Sequence, residues 1–343
     1  TPIGGRAMPH DDPALIWLLQ SDDPSVRYLT RTEILGESPR SRQVRALAAD
    51  ITNGPRVRAL LAGQAAGRRV SPDSLATHPG GFGVHPYKKW NGAHWRLVSL
   101  VELAIPVKEP RACAAAEQVL QWLGGEGHRE NIQCIGGLTR RCASQEGNAL
   151  AVCCRLGLAK DARVGQLAQS LVEWQWPDGG WNCDKRAAAR HSSFYESLAP
   201  LWGLSEYYRV SQEDKFGQAA GRAAEFFLRH HLFRSDRDGR VLNADWLQLH
   251  YPLYWHYDIL QALRLLAPLG KLDDPRAQEA LDMVEHKRRA DGLRHVEAYY
   301  WRAPGARGSN VEVVDWGRRG PNEMITLNAL RVLKAAGRLQ FSN

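Results

Sequence analysis

The chain has 343 residues, 44% hydrophobic and 24% charged, with a formal net charge of +8. That length suffices for a large core in one or two domains, and its longest apolar runs fall short of the roughly 18 residues a membrane span needs. The basic residues are scattered among acids with no basic tail, which argues against nucleic acid and leaves an anionic small molecule as one use for the charge.

No charged-then-apolar leader opens the chain, so the expected location is cytoplasmic, with no transmembrane segment. Peripheral membrane contact stays open, and the oligomeric state is not legible. Residues 1–12, beginning "TPIGGR", read as a loose N-terminal segment of a single domain spanning 1–343. The six cysteines, in a large chain of this kind, read as reduced thiols. Cys153 and Cys154 in "NALAVCCRLGLA" are expected to pack as small apolar residues.

Apolar residues at helical spacing then recur in pairs of segments along the chain. "SVRYLTRTEIL" is followed by "SRQVRALAADI", "HWRLVSLVELAI" by "ACAAAEQVLQWLGG", and "NALAVCCRLGLA" by "VGQLAQSLVEW". "SSFYESLAPLWGLSEYY" precedes "AGRAAEFFLRHHL", "HYDILQALRLLAPLG" precedes "AQEALDMVEHKRRA", and "EMITLNALRVLKAAG" comes last. The first member of each pair is the more apolar and is predicted to lie inside. Glycine turns such as Gly80-Gly81-Phe82, Asp178-Gly179-Gly180-Trp181 and Asp291-Gly292-Leu293 separate the helices. No period-two alternation persists, so the predicted class is all-α. Helical hairpins of this kind stack into an open solenoid or close into a ring, and the apolar end segments favour closure.

The stretch "SLVEWQWPDGGW", with Gln175, Gly179 and Trp181 as Gln-x3-Gly-x-Trp, resembles the repeat motif of squalene–hopene and oxidosqualene cyclases. Protein prenyltransferase β subunits share it more loosely. The pieces "DPSVRYLT", "DGGWNC…HSSFYESL" and "WHYDIL" are similar to stand-alone bacterial squalene-cyclase-like proteins. The resemblance covers roughly residues 13 to 336 and implies an α/α toroid, a double ring of about six helical hairpins with a substrate cavity at one end of the inner helices.

Aligning the inner helices on their leucine pattern puts His94, Cys142-Ala143, His191, His256 and Glu323 at equivalent starts, facing one mouth in a closed ring. Cys183 should reach the same mouth. Each histidine alone is a cap or a packing partner; their recurrence in register argues for zinc. The expected metal ligands are Cys183, His191 and His256, completed by Cys142 or Asp258. Glu146 is a further carboxylate, and Asp184 or Asp258 a partner for a ligating histidine. Similarity to the prenyltransferases implies zinc at the cavity mouth, with Cys183 and His256 as the nearest equivalents. Their Asp-x-Cys order is absent, because Asn182-Cys183-Asp184 places the acid after the cysteine.

The Asp-x-Asp-Asp motif with which hopene-type cyclases protonate an alkene is also missing, leaving Asp258, Glu323 or His94 as the candidate acid–base residues. Twelve tryptophans are many for this length. Trp95, Trp181, Trp255 and Tyr257 are the candidates to line an apolar, cation-tolerant cavity, though Trp181 reads equally as a hairpin staple. Two glycine-rich loops, 77–94 and 302–323, end at inner helices and carry Lys88, Lys89, Arg318 and Arg319 for an anionic head group. Two functions fit: a toroid enzyme acting on a hydrophobic small molecule, isoprenoid or polyene, with zinc, or a helical-repeat carrier of a hydrophobic ligand.

Overall fold

A computed structural model describes residues 12–64 and 80–339. The expected loose segment therefore lies outside the described residues except for Asp12, as do positions 77–79 of the first glycine-rich loop. The described chain is mostly helical. It opens with α1 (Pro13–Leu19), α2 (Pro24–Leu29, prolonged by a π turn to Ile34), α3 (Arg42–Asp50) and α4 (Pro55–Leu61). Then come α5 (Ala93–Glu102), α6 (Pro110–Gly124), α7 (Glu126–Arg129), α8 (Ser144–Arg155) and α9 (Ala162–Trp174). α10 (Phe194–Ser211), α11 (Asp214–Arg229), α12 (Ile259–Leu266), α13 (Gln278–His286) and α14 (Glu323–Ala335) complete the series. No helix among the described residues is long and apolar enough to cross a membrane.

The helices alternate in burial as the patterning predicts. Every residue of α5 is buried, whereas α11 buries one stripe of Ala and Phe and turns Lys215, Gln218 and Arg222 outward. α5, α8, α10, α12 and α14 each pack on the next in that order, and α14 packs on α1 and α2. Outside them α3 lies on α2, α6 on α5, α9 on α8, α11 on α10 and α13 on α12. The two ends of the described chain are joined by charge as well, through Arg331 to Glu33 and Arg56 to Glu323. One cavity is lined jointly by α2 with its π turn, α5, α8, α10, α12 and α14.

The helix starts follow from local chemistry. Asp161, Ser193, Asp258 and Asn322 accept the orphan backbone N–H groups of α9, α10, α12 and α14. The Gln175-x3-Gly179-x-Trp181 stretch works as a clamp between hairpins. Gln175 donates to the Gly179 carbonyl (2.8 Å) and to the Ala219 carbonyl on α11 (2.9 Å), while Trp181 Nε1 donates to the Leu171 carbonyl (2.9 Å). Gly179 has φ +101°, and a Cβ there would stand 2.3 Å from the Arg222 carbonyl oxygen. Only glycine lets the turn lie that close to α11. Trp181 is 1% exposed, and burying such a ring contributes about 3 kcal/mol.

One element departs from the all-helical expectation: β1 (Gln133–Ile135) and β2 (Leu138–Arg140) form an antiparallel hairpin. Its turn is Gly136-Gly137, both at positive φ, the pair that a two-residue hairpin favours. The strands are too short to show alternation, which is why periodicity misses them. The hairpin matters for position: Arg141 N donates to the Asn182 carbonyl (3.1 Å), which sets Cys142 beside Cys183.

Candidate functional site

Cys142 precedes α8, Cys183 follows the Trp181 turn, and Glu196 sits in the first turn of α10. Their ligand atoms lie within 4.8 Å of one another, a spacing that can hold a metal ion. The Cys183 thiol donates to Glu196 Oε1 (3.6 Å), and the Ser144 N–H donates to Glu196 Oε2 (3.1 Å). The Cys183 thiol is drawn below its ordinary value by a hydrogen bond from Cys142, while Cys142, as donor and partly buried, is pushed up. Burial raises the Glu196 carboxyl against the opposing pull of Ser144. Two soft sulfur donors and a carboxylate suit zinc or a similar metal and not magnesium or calcium.

Beside this group lies an aromatic rim. Lys89 Nζ stands 4.6 Å from the Trp255 ring centroid and 5.5 Å from that of Trp90. Burial lowers its pKa, and the nearby Cys142 opposes that shift. His256 is stacked between Trp255 (4.0 Å) and Tyr300 (3.7 Å). Burial, then His250 and Lys89, lowers its pKa to about 3, so the imidazole is neutral at neutral pH. Trp255, His256 and Tyr195, the residue before Glu196, also line a small, mostly apolar cavity of about 30 Å³. Lys89 and Tyr195 thus connect the thiol group to that cavity.

The four expected metal ligands divide. Cys142 and Cys183 are brought together, and Glu196 joins them. His191 is exposed, with Nε2 3.3 Å from Arg237, and is not part of the group. His256 belongs to the aromatic stack and not to the thiol group. The helix-start register misplaces both because His191 lies three residues before α10, where the chain still runs along the surface, and His256 lies in the turn that precedes the Asp258 cap.

The expected acid–base residues are all engaged. Asp258 is fully buried as the cap of α12, accepting from Gln261 N (2.9 Å) and His250 N (3.1 Å). Glu323 pairs with Arg56. His94 is buried with Nε2 3.5 Å from Asn148 Nδ2, and burial followed by His128 lowers its pKa to about 3. Of the aromatic candidates, Trp255 lines the cavity. Trp95 is buried with its Nε1 on the Tyr87 carbonyl (3.3 Å), Trp181 forms the hairpin staple, and Tyr257 is buried with its hydroxyl on the Leu232 carbonyl (2.6 Å). None of these three lines the cavity.

Asp258 gives a clean stability experiment. Asp258→Ala leaves two buried N–H donors without partners and is expected to cost about 3 kcal/mol, whereas Asp258→Asn keeps one acceptor and costs less than half as much. Urea unfolding midpoints of the two variants test this; equal losses would remove the capping account.

Glu196 is the residue sequence reasoning missed. Its signal was present as Ser193-x-x-Glu196, a capping-box pattern, yet the carboxylate turns to Ser144 and Cys183 instead of its own helix start. No protein-family model matches the chain, and no curated protein matches it.

Proposed function

We propose that the chain is an α/α toroid enzyme, similar in layout to squalene–hopene cyclases and prenyltransferase β subunits, that holds an apolar isoprenoid or polyene substrate in its central cavity beside a zinc site. The observation that carries this reading is the meeting of Cys142, Cys183 and Glu196 next to the aromatic rim. Closure into a ring is supported by the cavity that the inner helices share and by the packing of α14 on α1 and α2.

Three protein ligands leave a fourth place for substrate or water, the pattern of a catalytic rather than a structural zinc. Bound there, the metal supplies Lewis-acid polarisation or an activated thiolate. The Ser144 N–H orients Glu196, and the Arg141–Asn182 backbone pairing holds the two cysteines in reach of each other. Trp255, Tyr300 and His256 form an aromatic wall that excludes water and accommodates positive charge.

Elemental analysis of untagged protein tests the site: about one zinc per chain is expected, lost in a Cys142→Ala, Cys183→Ala double variant that keeps its helical content. Wild-type protein without metal after growth in zinc would overturn the zinc reading. A second reading, a carrier of a hydrophobic ligand without chemistry, is favoured by one observation: Asp258, Glu323 and His94 are each tied to protein partners.

A further inference from the structure

Cys142 and Cys183 are thiols that two different loops deliver to one place. Cys142 lies between β2 and α8, Cys183 follows the Trp181 turn, and the hydrogen bond from Arg141 N to the Asn182 carbonyl (3.1 Å) ties the two loops together. Their sulfurs are within 4.8 Å of each other, and Cys142 donates a hydrogen bond to Cys183. Neither residue belongs to a helix or strand, so each side chain can turn without breaking a regular ladder. Both are half-buried, whereas Cys153 and Cys154 are buried in α8. Lys89 and Arg141 place positive charge beside Cys142, the kind of surroundings in which a partly exposed thiol reacts. On the other side Glu196 Oε1 accepts from the Cys183 thiol (3.6 Å) and is placed to take its proton.

A disulfide holds its sulfurs at about 2.05 Å, so closing this pair asks for a shift of no more than about 3 Å between two loop side chains. We propose that Cys142 and Cys183 are a redox pair, converted to a reversible disulfide by a hydroperoxide. The Cys183 sulfur attacks one peroxide oxygen and the O–O bond breaks. The other oxygen leaves as water, or as an alcohol from an alkyl peroxide, with the thiol proton that Glu196 relays. The Cys142 sulfur then attacks the sulfenic acid on Cys183: the S–S bond forms, the S–O bond breaks, and the hydroxyl leaves as water with the Cys142 proton. The two thiols lose two electrons and two protons, and the peroxide takes up both. On the zinc reading above, oxidation and metal binding exclude each other, because a disulfide offers no thiolate.

The test treats the full chain, stripped of metal by a chelator, with hydrogen peroxide, then blocks free thiols with a maleimide and digests for mass spectrometry. The thiol count in denaturant should fall by two from the six of the sequence, with Cys142 and Cys183 recovered as one linked peptide, and dithiothreitol should restore both. Cys142→Ser should stop at the sulfenic acid of Cys183, which dimedone captures, and Cys183→Ser should give no linked peptide. Links through Cys113 or Cys134 instead, oxidation of Cys142 and Cys183 to sulfinic acid without a link, a link that forms as readily in the urea-unfolded chain, or no loss of thiols would each overturn the proposal. In a zinc-loaded sample, peroxide should release about one zinc per disulfide formed. Zinc kept by the linked protein would overturn the exclusion of metal by oxidation, whereas a chain that never takes zinc yet still forms the link removes the zinc reading and leaves the redox pair standing.

Discussion

Gly147→Ala is expected to cost more than about 3 kcal/mol or to prevent folding, an effect larger than that of any ordinary surface change. Gly147 on α8 faces α10 at its closest approach. An added Cβ would lie 2.3 Å from Pro200 N and 2.4 Å from the Ala199 carbonyl carbon, both main-chain atoms that no rotamer change can move. Gly203 repeats the constraint from the other side, with a Cβ 2.5 Å from the Gly147 carbonyl oxygen. The two helices would have to separate, and Ser144 would leave Glu196, so any metal bound by the thiol group should be lost with the fold. Gly221→Ala is the control. It lies inside α11 with nothing within 4 Å of its Cβ, and the greater helix propensity of alanine should leave stability unchanged or raise it by up to about 1 kcal/mol. Circular dichroism and thermal unfolding of both variants measure this; a folded Gly147→Ala protein with a wild-type midpoint would disprove the close-packing account.

Arg264→Ala is the second large effect. Burial by itself raises the Glu102 carboxyl, and the charge and hydrogen bond of Arg264, helped by Arg155 and Arg331, bring it below its ordinary value. Removing Arg264 leaves a buried carboxylate without its main partner, at an expected cost of about 3–5 kcal/mol near neutral pH. The pH dependence has a definite sign. In wild type, a depressed carboxyl contributes stability above its unfolded value that is lost as pH falls through the folded one. In the variant the carboxyl rises and takes up a proton, so the deficit should be largest at neutral pH and shrink on acidification. Glu102→Leu with Arg264→Met, two apolar residues of similar reach, should recover most of the loss. Urea titrations at two pH values read both points. A deficit that grows on acidification, or a double variant no better than Arg264→Ala, would count against the ion pair as described.

The helical segments were legible because burial on an inner helix and on an outer helix imposes different patterns on the sequence. α5 is buried all round and α11 along one stripe, and the sequence reading placed the first as the more apolar, inner segment and the second as the more charged, outer one. The glycine turns were legible for the same local reason, since positive φ at Gly179 or Gly292 selects glycine regardless of what surrounds it. The β1–β2 hairpin was not read, although Gly136-Gly137 marked it, because three residues per strand carry no periodicity.

The candidate site was legible in part. Cys142 and Cys183 stood out as thiols at related points of neighbouring hairpins, and they do meet. Their carboxylate partner could not be chosen from sequence. Asp258, Glu323 and Glu196 all occupy the first turn or cap of an inner helix, and the chain alone does not say which side chain turns to its own backbone and which reaches a neighbour.

The sequence by itself determined where helices run, which of them are buried and where the turns fall, because those depend on residues a few positions apart. Tertiary structure alone decided that Asp258 caps a helix, that Glu196 meets two thiols, that His191 stays on the surface and that Arg264 pairs with Glu102. Each of these depends on atoms brought together from distant parts of the chain, and on competition for hydrogen bonds that no local pattern records.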